Sequence, residues 1–224
     1  MSRLFAVART TLERASSAMP LAIVASMGAL GNVLGVVPIL LGRIPTPAVS
    51  QVAFDFSNLA VVIVAIFLGW RLGALTGLVA GIGPAIMFGF VTGSTGLISF
   101  LVPVGKALTG LTVGAIAQML DSDQRMRPKY IFPAVLAGFI PEALTIWVYF
   151  QNLVPLFVAG GSFWAPALTV PVLVKALAEM IIISFLTIAL VGNEGFRMFL
   201  GRLAPAGMLL PTNLAQLETD RKPA

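Results

Sequence analysis

Two apolar segments, at about residues 53–69 and 72–91, are joined by little more than Trp70 and Arg71. In water such a hairpin would expose large apolar patches. A bilayer crossing, by contrast, needs roughly 20 apolar residues. The rest of the chain agrees: 58% of its residues are hydrophobic, 10% are charged and its mean hydropathy is +0.98, against about a quarter charged in a soluble domain. The chain therefore reads as an integral membrane protein. The second segment places Gly73, Gly77 and Gly81 four residues apart, so bare backbone recurs on one helical face where another helix can approach closely. The first opens on Asp55, Phe56 and Ser57, an acid at the mouth of a membrane helix.

Four more spans are expected, at Pro20 to Leu41, 97–120, 130–152 and 168–191. Pro20 to Leu41 is longer than the core of a cleaved signal peptide. Residues 1–18, with Arg3, Arg9 and Arg14 beside Leu4, Phe5, Ala8 and Leu12, have the spacing of a short helix on the membrane surface. The expected fold is an all-α, six-transmembrane-helix bundle spanning 1–192 as one domain. Residues 193–224 form a tail in which Phe196, Phe199, Leu200 and Leu203 alternate with Arg197 and Arg202 before a disordered end. With both termini cytoplasmic, eleven basic residues fall inside, Arg43 falls outside, and Lys106 and Lys175 lie within spans. That is the bias of a cell-membrane protein under the positive-inside rule. It also explains the net charge of +5 without a nucleic-acid partner. The chain contains no Cys and no His, so disulfides, thiolate chemistry and the commonest metal ligand are absent. No metal or cofactor is expected.

The chemistry lies in the polar residues inside the spans. An ionisable side chain at the centre of a membrane helix costs at least ~2.5 kcal/mol and requires a partner, a cavity or a ligand. Five are present: Asp55, Lys106, Glu142, Lys175 and Glu179. Glu142, Thr145, Tyr149 and Asn152 share one helical face. Pro141 precedes Glu142, Pro103 precedes Lys106 with Ser99 and Thr109 on the same side, and Pro171 lies one turn before Lys175. A proline frees a backbone carbonyl and kinks a helix, and membrane helices tolerate this beside a cavity. A polar cavity opening outward is expected. Lys175 and Glu179, at i and i+4, have the alternative of pairing with each other, and Asn32 is placed to hydrogen-bond between helices. The outer connections 42–52 and 153–166, the latter with a Gly-Gly hinge and Phe163-Trp164, read as lids or as interfacial anchors. Ala22, Ala25 and Ala29 form a small-residue stripe on the first span, beside Gly28, Gly31 and Gly35.

Together these features resemble the substrate-binding (S) components of energy-coupling factor vitamin transporters. The resemblance runs from the first span to the last. It rests on the Ala22, Ala25, Ala29 stripe, the proline-bearing first outer loop, the DFSNLAVVIVAIFLG opening of the second span and the immediate WRLGALTGLVAGIG return. The Gly-Gly-Tyr loop element of the biotin type is missing. The resemblance implies capture of a small water-soluble vitamin or precursor near the outer face. It further implies docking of the alanine face on a membrane coupling subunit driven by two cytoplasmic ATPases. This chain has no Gly-rich phosphate loop ending in Lys-Ser/Thr and is not expected to be an enzyme. The expected substrate-binding residues are Asp55, Lys106, Glu142, Tyr149, Asn152, Lys175 and Glu179, with Ala22, Ala25 and Ala29 as the docking face. The alternatives are a self-sufficient carrier of a small polar solute and an intramembrane enzyme using Glu142 and Glu179 as acid and base.

Overall fold

The computed structural model describes residues 2–41, 44–46, 49–52, 54–91, 95–120, 128–196 and 198, with side chains at 18–40, 54–91, 95–120, 128–196 and 198. Arg43, Arg125, Arg127 and the tail beyond 198, with Phe199, Leu200 and Leu203, lie outside the described residues. Helix α1 is Ser2–Leu41 and strands β1 (Ile44–Thr46) and β2 (Val49–Val52) follow as an antiparallel hairpin. Next come α2 (Ser57–Leu68), α3 (Trp70–Ala80), α4 (Ile82–Ile86) with a π-helical turn Met87–Val91, a 3-10 turn Gly96–Phe100 and α5 (Leu101–Leu120). The chain continues through α6 (Pro128–Gly138), α7 (Ile140–Val148), a second π-helical turn Tyr149–Leu153, α8 (Val154–Phe157) and α9 (Gly161–Gly192). Among the described residues, five helices are long and apolar enough to cross a membrane: Ala18–Leu40, Trp70–Val91, Gly96–Leu120, Pro128–Phe157 and Gly161–Gly192. Leu21, Leu97, Phe163, Val170 and Phe185 are among many large apolar side chains on the periphery, where lipid rather than water suits them.

The second expected span is the exception. Helix α2 has 12 residues, about 18 Å at 1.5 Å per residue, short of a hydrocarbon core of about 30 Å. It is also the most buried helix, with Ala60 through Phe67 all in the core. Residues 54–56, outside any helix or strand, lead into it. A single residue, Gly69, joins α2 to α3. Its φ of 94° lies in the region that favours glycine, which is why the two segments need so little sequence between them.

The glycine spacing does what its period implies. A Cβ at Gly73 would meet Ala65 and the Gly110 carbonyl, one at Gly77 the Lys106 backbone, and one at Gly81 the Cα of Pro103. On α5, Gly110 and Gly114 answer with equally close approach to Gly73 and Trp70. Two backbones thus lie nearly in contact, and this fixes the height of Lys106 in the bundle. On α1 the glycines and alanines separate. Gly28, Gly31 and Gly35 are buried against Val79, Ala80 and Pro84, while Ala22, Ala25 and Ala29 point outward and are exposed. Asn32 pins the same interface. Its amide donates to the Val79 carbonyl (2.9 Å) and accepts from the Gly83 backbone N–H (2.6 Å). Those two groups would otherwise bond each other as i and i+4 in a continuous helix. The inserted side chain, with Pro84 beside it, accounts for the break between α3 and α4 at Gly81.

Several expectations change in detail. The N-terminal segment is no separate surface helix: α1 runs unbroken from Ser2 through Pro20 and Pro38. The connection at 153–166 is largely helical: Leu153 ends the second π-helical turn, only Val158–Gly160 lie outside helical segments, and Gly160 takes φ 73° where the chain reverses. Phe163 is 91% exposed, whereas Trp164 packs beside Tyr149, Val154 and Ala165. Of the three prolines set near charges, only Pro141 accompanies a break, between α6 and α7 at Phe139. Pro103 lies in the first turn of α5, where no intrahelical N–H partner is required, and Pro171 sits within an uninterrupted α9. Phe196, the first apolar residue of the tail, packs edge-on against Phe67 at 5.8 Å.

Candidate functional site

Helices α5 and α9 and the α6–α7 pair pass through the same three layers. Toward the Gly69 end, Val113, Ile131, Val135, Phe139, Met180 and Ile183 surround α2 in an apolar core. Toward the α8–α9 turn, Tyr149, Val154 and Ala165 form a second apolar cluster with Ile98, Leu101 and Trp164. Between them in each chain segment lie the polar positions: Lys106 and Thr109 on α5, Glu142 on α7, and Lys175 and Glu179 on α9. The opening of α2, Asp55 to Asn58, inserts at the same level. The layer exists because a short helix that starts inside the bundle delivers its first turn, with its free backbone N–H groups, to the depth where the other helices carry their charges.

Asp55 closes the end of α2. Its Oδ1 accepts from the Ser57 backbone N–H at 2.9 Å, an acid at the positive end of a helix. Its Oδ2 accepts from Lys106 Nζ at 2.8 Å, and Lys106 is 2% exposed. The Asp55 backbone N–H donates to Glu179 Oε1, and the same oxygen takes Lys175 Nζ at 3.0 Å. Lys175 and Glu179 thus pair at i and i+4, and Glu179 also ties α9 to the start of α2.

Glu142 is held differently. Thr109 Oγ1 donates to its Oε2 at 2.6 Å, and the Asn58 amide nitrogen lies 3.0 Å from Oε2 and 3.2 Å from Oε1. Its closest cation in the layer is Lys106, at 4.0 Å, which is already bonded to Asp55. Glu142 therefore rests chiefly on neutral donors. The side chains keep modest accessibility, 11% for Glu142, 12% for Asp55 and 18% for Lys175. Among the described residues, Asn58 Oδ1, Ser57 Oγ and Thr76 Oγ1 are buried and have no hydrogen-bond partner. Buried polar atoms are normally satisfied, so unpartnered oxygens beside a carboxylate are informative.

Five of the expected site residues, Asp55, Lys106, Glu142, Lys175 and Glu179, thus come together. Tyr149 and Asn152 do not join their hydrogen-bond network. The π-helical turn Tyr149–Leu153 interrupts the face expected to continue from Glu142 and Thr145. Tyr149 is buried in the apolar cluster beside Thr95 and Phe150, and Asn152 is exposed. Thr145 bonds back to the Pro141 carbonyl at 2.8 Å, and Ser99 to the Gly96 carbonyl at 2.7 Å. Sequence reasoning missed Asn58, although its place one turn after Asp55 at the start of a span was available. It also missed the Gln151–Thr169 bond of 2.9 Å between the π-helical turn and α9. Among the described residues, no group of three or more acids, His or Cys is placed to hold a metal ion.

The arrangement can bind a small polar group between facing helices. It can also hold the bundle together through two ion pairs, Lys106–Asp55 and Lys175–Glu179. No family model, no curated protein and no solved structure matches this chain.

Proposed function

We propose that this chain is a membrane subunit that captures a small water-soluble solute of vitamin type, as the S component of an energy-coupling factor transporter. The observation that carries the reading is the convergence of five ionisable side chains within the bundle. One of them, Glu142, is buried with 11% of its side chain exposed, and its nearest lysine in the layer, Lys106, stands at 4.0 Å while bonded to Asp55. In this reading Lys106–Asp55 and Lys175–Glu179 build the walls, and Glu142 with Asn58 faces the solute. Helix α2 with residues 54–56 completes a sixth crossing, both termini lie in the cytoplasm of the cell membrane, and the hairpin β1–β2 and the α8–α9 turn lie outside. The outward-facing Ala22, Ala25 and Ala29 offer a flat surface for a membrane coupling subunit, which two cytoplasmic ATPases drive.

Affinity purification of the tagged protein from its own cells tests this directly. An S component brings down a second membrane subunit and ATPases, and native mass spectrometry of the purified chain finds a retained small molecule. Solute uptake into liposomes by the chain alone would instead make it a self-sufficient carrier.

A further inference from the structure

Charge and hydrogen-bond capacity do not balance in the polar layer, and the imbalance is local. Three carboxylates, Asp55, Glu142 and Glu179, face two ammonium groups, Lys106 and Lys175. Lys106 is taken by Asp55 at 2.8 Å and Lys175 by Glu179 at 3.0 Å. The most weakly paired acid is Glu142, which shares Lys106 with Asp55 and stands 4.0 Å from it. The α2 N-terminus offsets some of the negative charge, but its backbone donors go to Asp55 and Glu179, not to Glu142.

The second observation is independent of charge. Asn58 is 93% buried, being 7% exposed, and its amide orientation is set by Glu142: the nitrogen must face the carboxylate, because the oxygen would be repelled. That leaves Oδ1, on the same amide, as a buried acceptor with no donor among the described residues. Glu142 Oε1 also keeps capacity: among the described residues the Asn58 amide is its one hydrogen-bond donor, whereas Oε2 has both Thr109 and Asn58. A carboxylate oxygen with spare capacity and an amide oxygen without a donor thus belong to two residues that bond each other, and the carboxylate is the one in the layer whose lysine stands no closer than 4.0 Å. The complementary group is a cation that carries N–H donors.

Resting on the solute-capture reading above, we propose that the solute bound here presents a protonated amine or amidinium to Glu142 and Asn58 Oδ1. Such a group supplies the missing positive charge and donors to both open acceptors, which makes the contact a charge-assisted hydrogen bond. A bare metal cation fits less well. Hard cations take about six oxygen ligands, the cluster offers the two Glu142 oxygens and Asn58 Oδ1, and Lys106 Nζ stands 4.0 Å from Glu142. A carboxylate-bearing solute would meet the same excess negative charge.

The test uses the full-length protein in nanodiscs, with melting temperature and calorimetric binding read for methylammonium, ethanolamine, agmatine and guanidinium. Tetramethylammonium, sodium and acetate serve as controls. N–H cations are expected to stabilise saturably and the controls not to. Glu142→Gln should weaken amine binding roughly tenfold or more. The melting temperature of unliganded Glu142→Gln is read alongside: lost amine affinity with an unchanged unliganded melting temperature separates a ligand role from a folding defect, and a fall in both by the same free energy overturns the proposal. Stabilisation by sodium or acetate rather than by amines overturns the proposal, as does the absence of any amine effect at 100 mM-scale concentrations or unchanged amine affinity in Glu142→Gln. Retention of a neutral or anionic solute in native mass spectrometry would overturn the amine assignment and leave solute capture standing. Failure to retain any solute or to bind any probe would remove both.

Discussion

Lys106→Met is the most demanding test of the layered interior. Lys106 is 2% exposed and its ammonium lies 2.8 Å from Asp55, with Glu142 at 4.0 Å. Methionine retains most of the volume and removes the charge, and the contact with Gly77 is made by the backbone of residue 106, so packing is preserved and the effect is electrostatic. Removing one member of a buried pair leaves the other charge uncompensated, at a cost of about 3–5 kcal/mol. For a chain of this size that corresponds to a fall in melting temperature of about 6–20 °C, on the scale of roughly 2–4 °C per kcal/mol found for soluble proteins. The second half of the test is rescue. Asp55→Asn keeps an oxygen that can accept from the Ser57 N–H at the start of α2, while removing the stranded charge. The double variant should recover to within about 1–2 kcal/mol of the wild type, because deleting both members of a buried pair is often nearly neutral. The three tryptophans provide an intrinsic fluorescence readout of melting in detergent. A single variant that melts within a degree or two of wild type, or a double variant as unstable as the single, would refute the claim that Lys106–Asp55 is a structural pair.

Other predictions follow from the same contacts. Asn32→Leu removes both bonds that hold α1 to the broken α3–α4 junction and should cost about 1–3 kcal/mol through the unsatisfied Val79 carbonyl and Gly83 N–H; a variant as stable as wild type would show that the break sustains itself. Gly77→Val should prevent assembly of α3 against α5, because its Cβ falls on the Lys106 backbone, and normal yield of monodisperse protein would contradict the close approach. Ala25→Trp or Ala29→Trp, both on the exposed stripe, should leave solute binding and melting unchanged but abolish co-purification of a coupling subunit; retained co-purification in both excludes this face. Cysteines introduced at Ser162 and Asn193, at opposite ends of α9, should react with an impermeant maleimide only at Ser162 in intact cells, and labelling of Asn193 instead would invert the proposed orientation.

Membrane class and most spans were legible in the sequence because both depend on sums over many residues: low charge, long apolar runs and bias in the basic residues. The close approach of α3 to another helix was legible too, because the period of Gly73, Gly77 and Gly81 maps onto one face whatever the partner. That each of the five charges needs a partner, a cavity or a ligand was legible from cost alone; that they meet in one layer was not. Pairing was another matter. Sequence spacing offered Lys175–Glu179, but it could not decide that Lys106 chooses Asp55 over Glu142, a contrast of 2.8 Å against 4.0 Å. That choice depends on α2 starting inside the bundle, and on the Gly77 contact fixing the height of α5. The role of Asn58, the outward turn of the alanines and inward turn of the glycines on α1, and the departure of Tyr149 and Asn152 from the Glu142 face were likewise decided in three dimensions. Each depends on a single helical rotation, shortened helix or π-helical turn, and one residue of register moves a side chain by about 100° around its helix. Composition averages over such shifts, whereas the side chains that form a site do not.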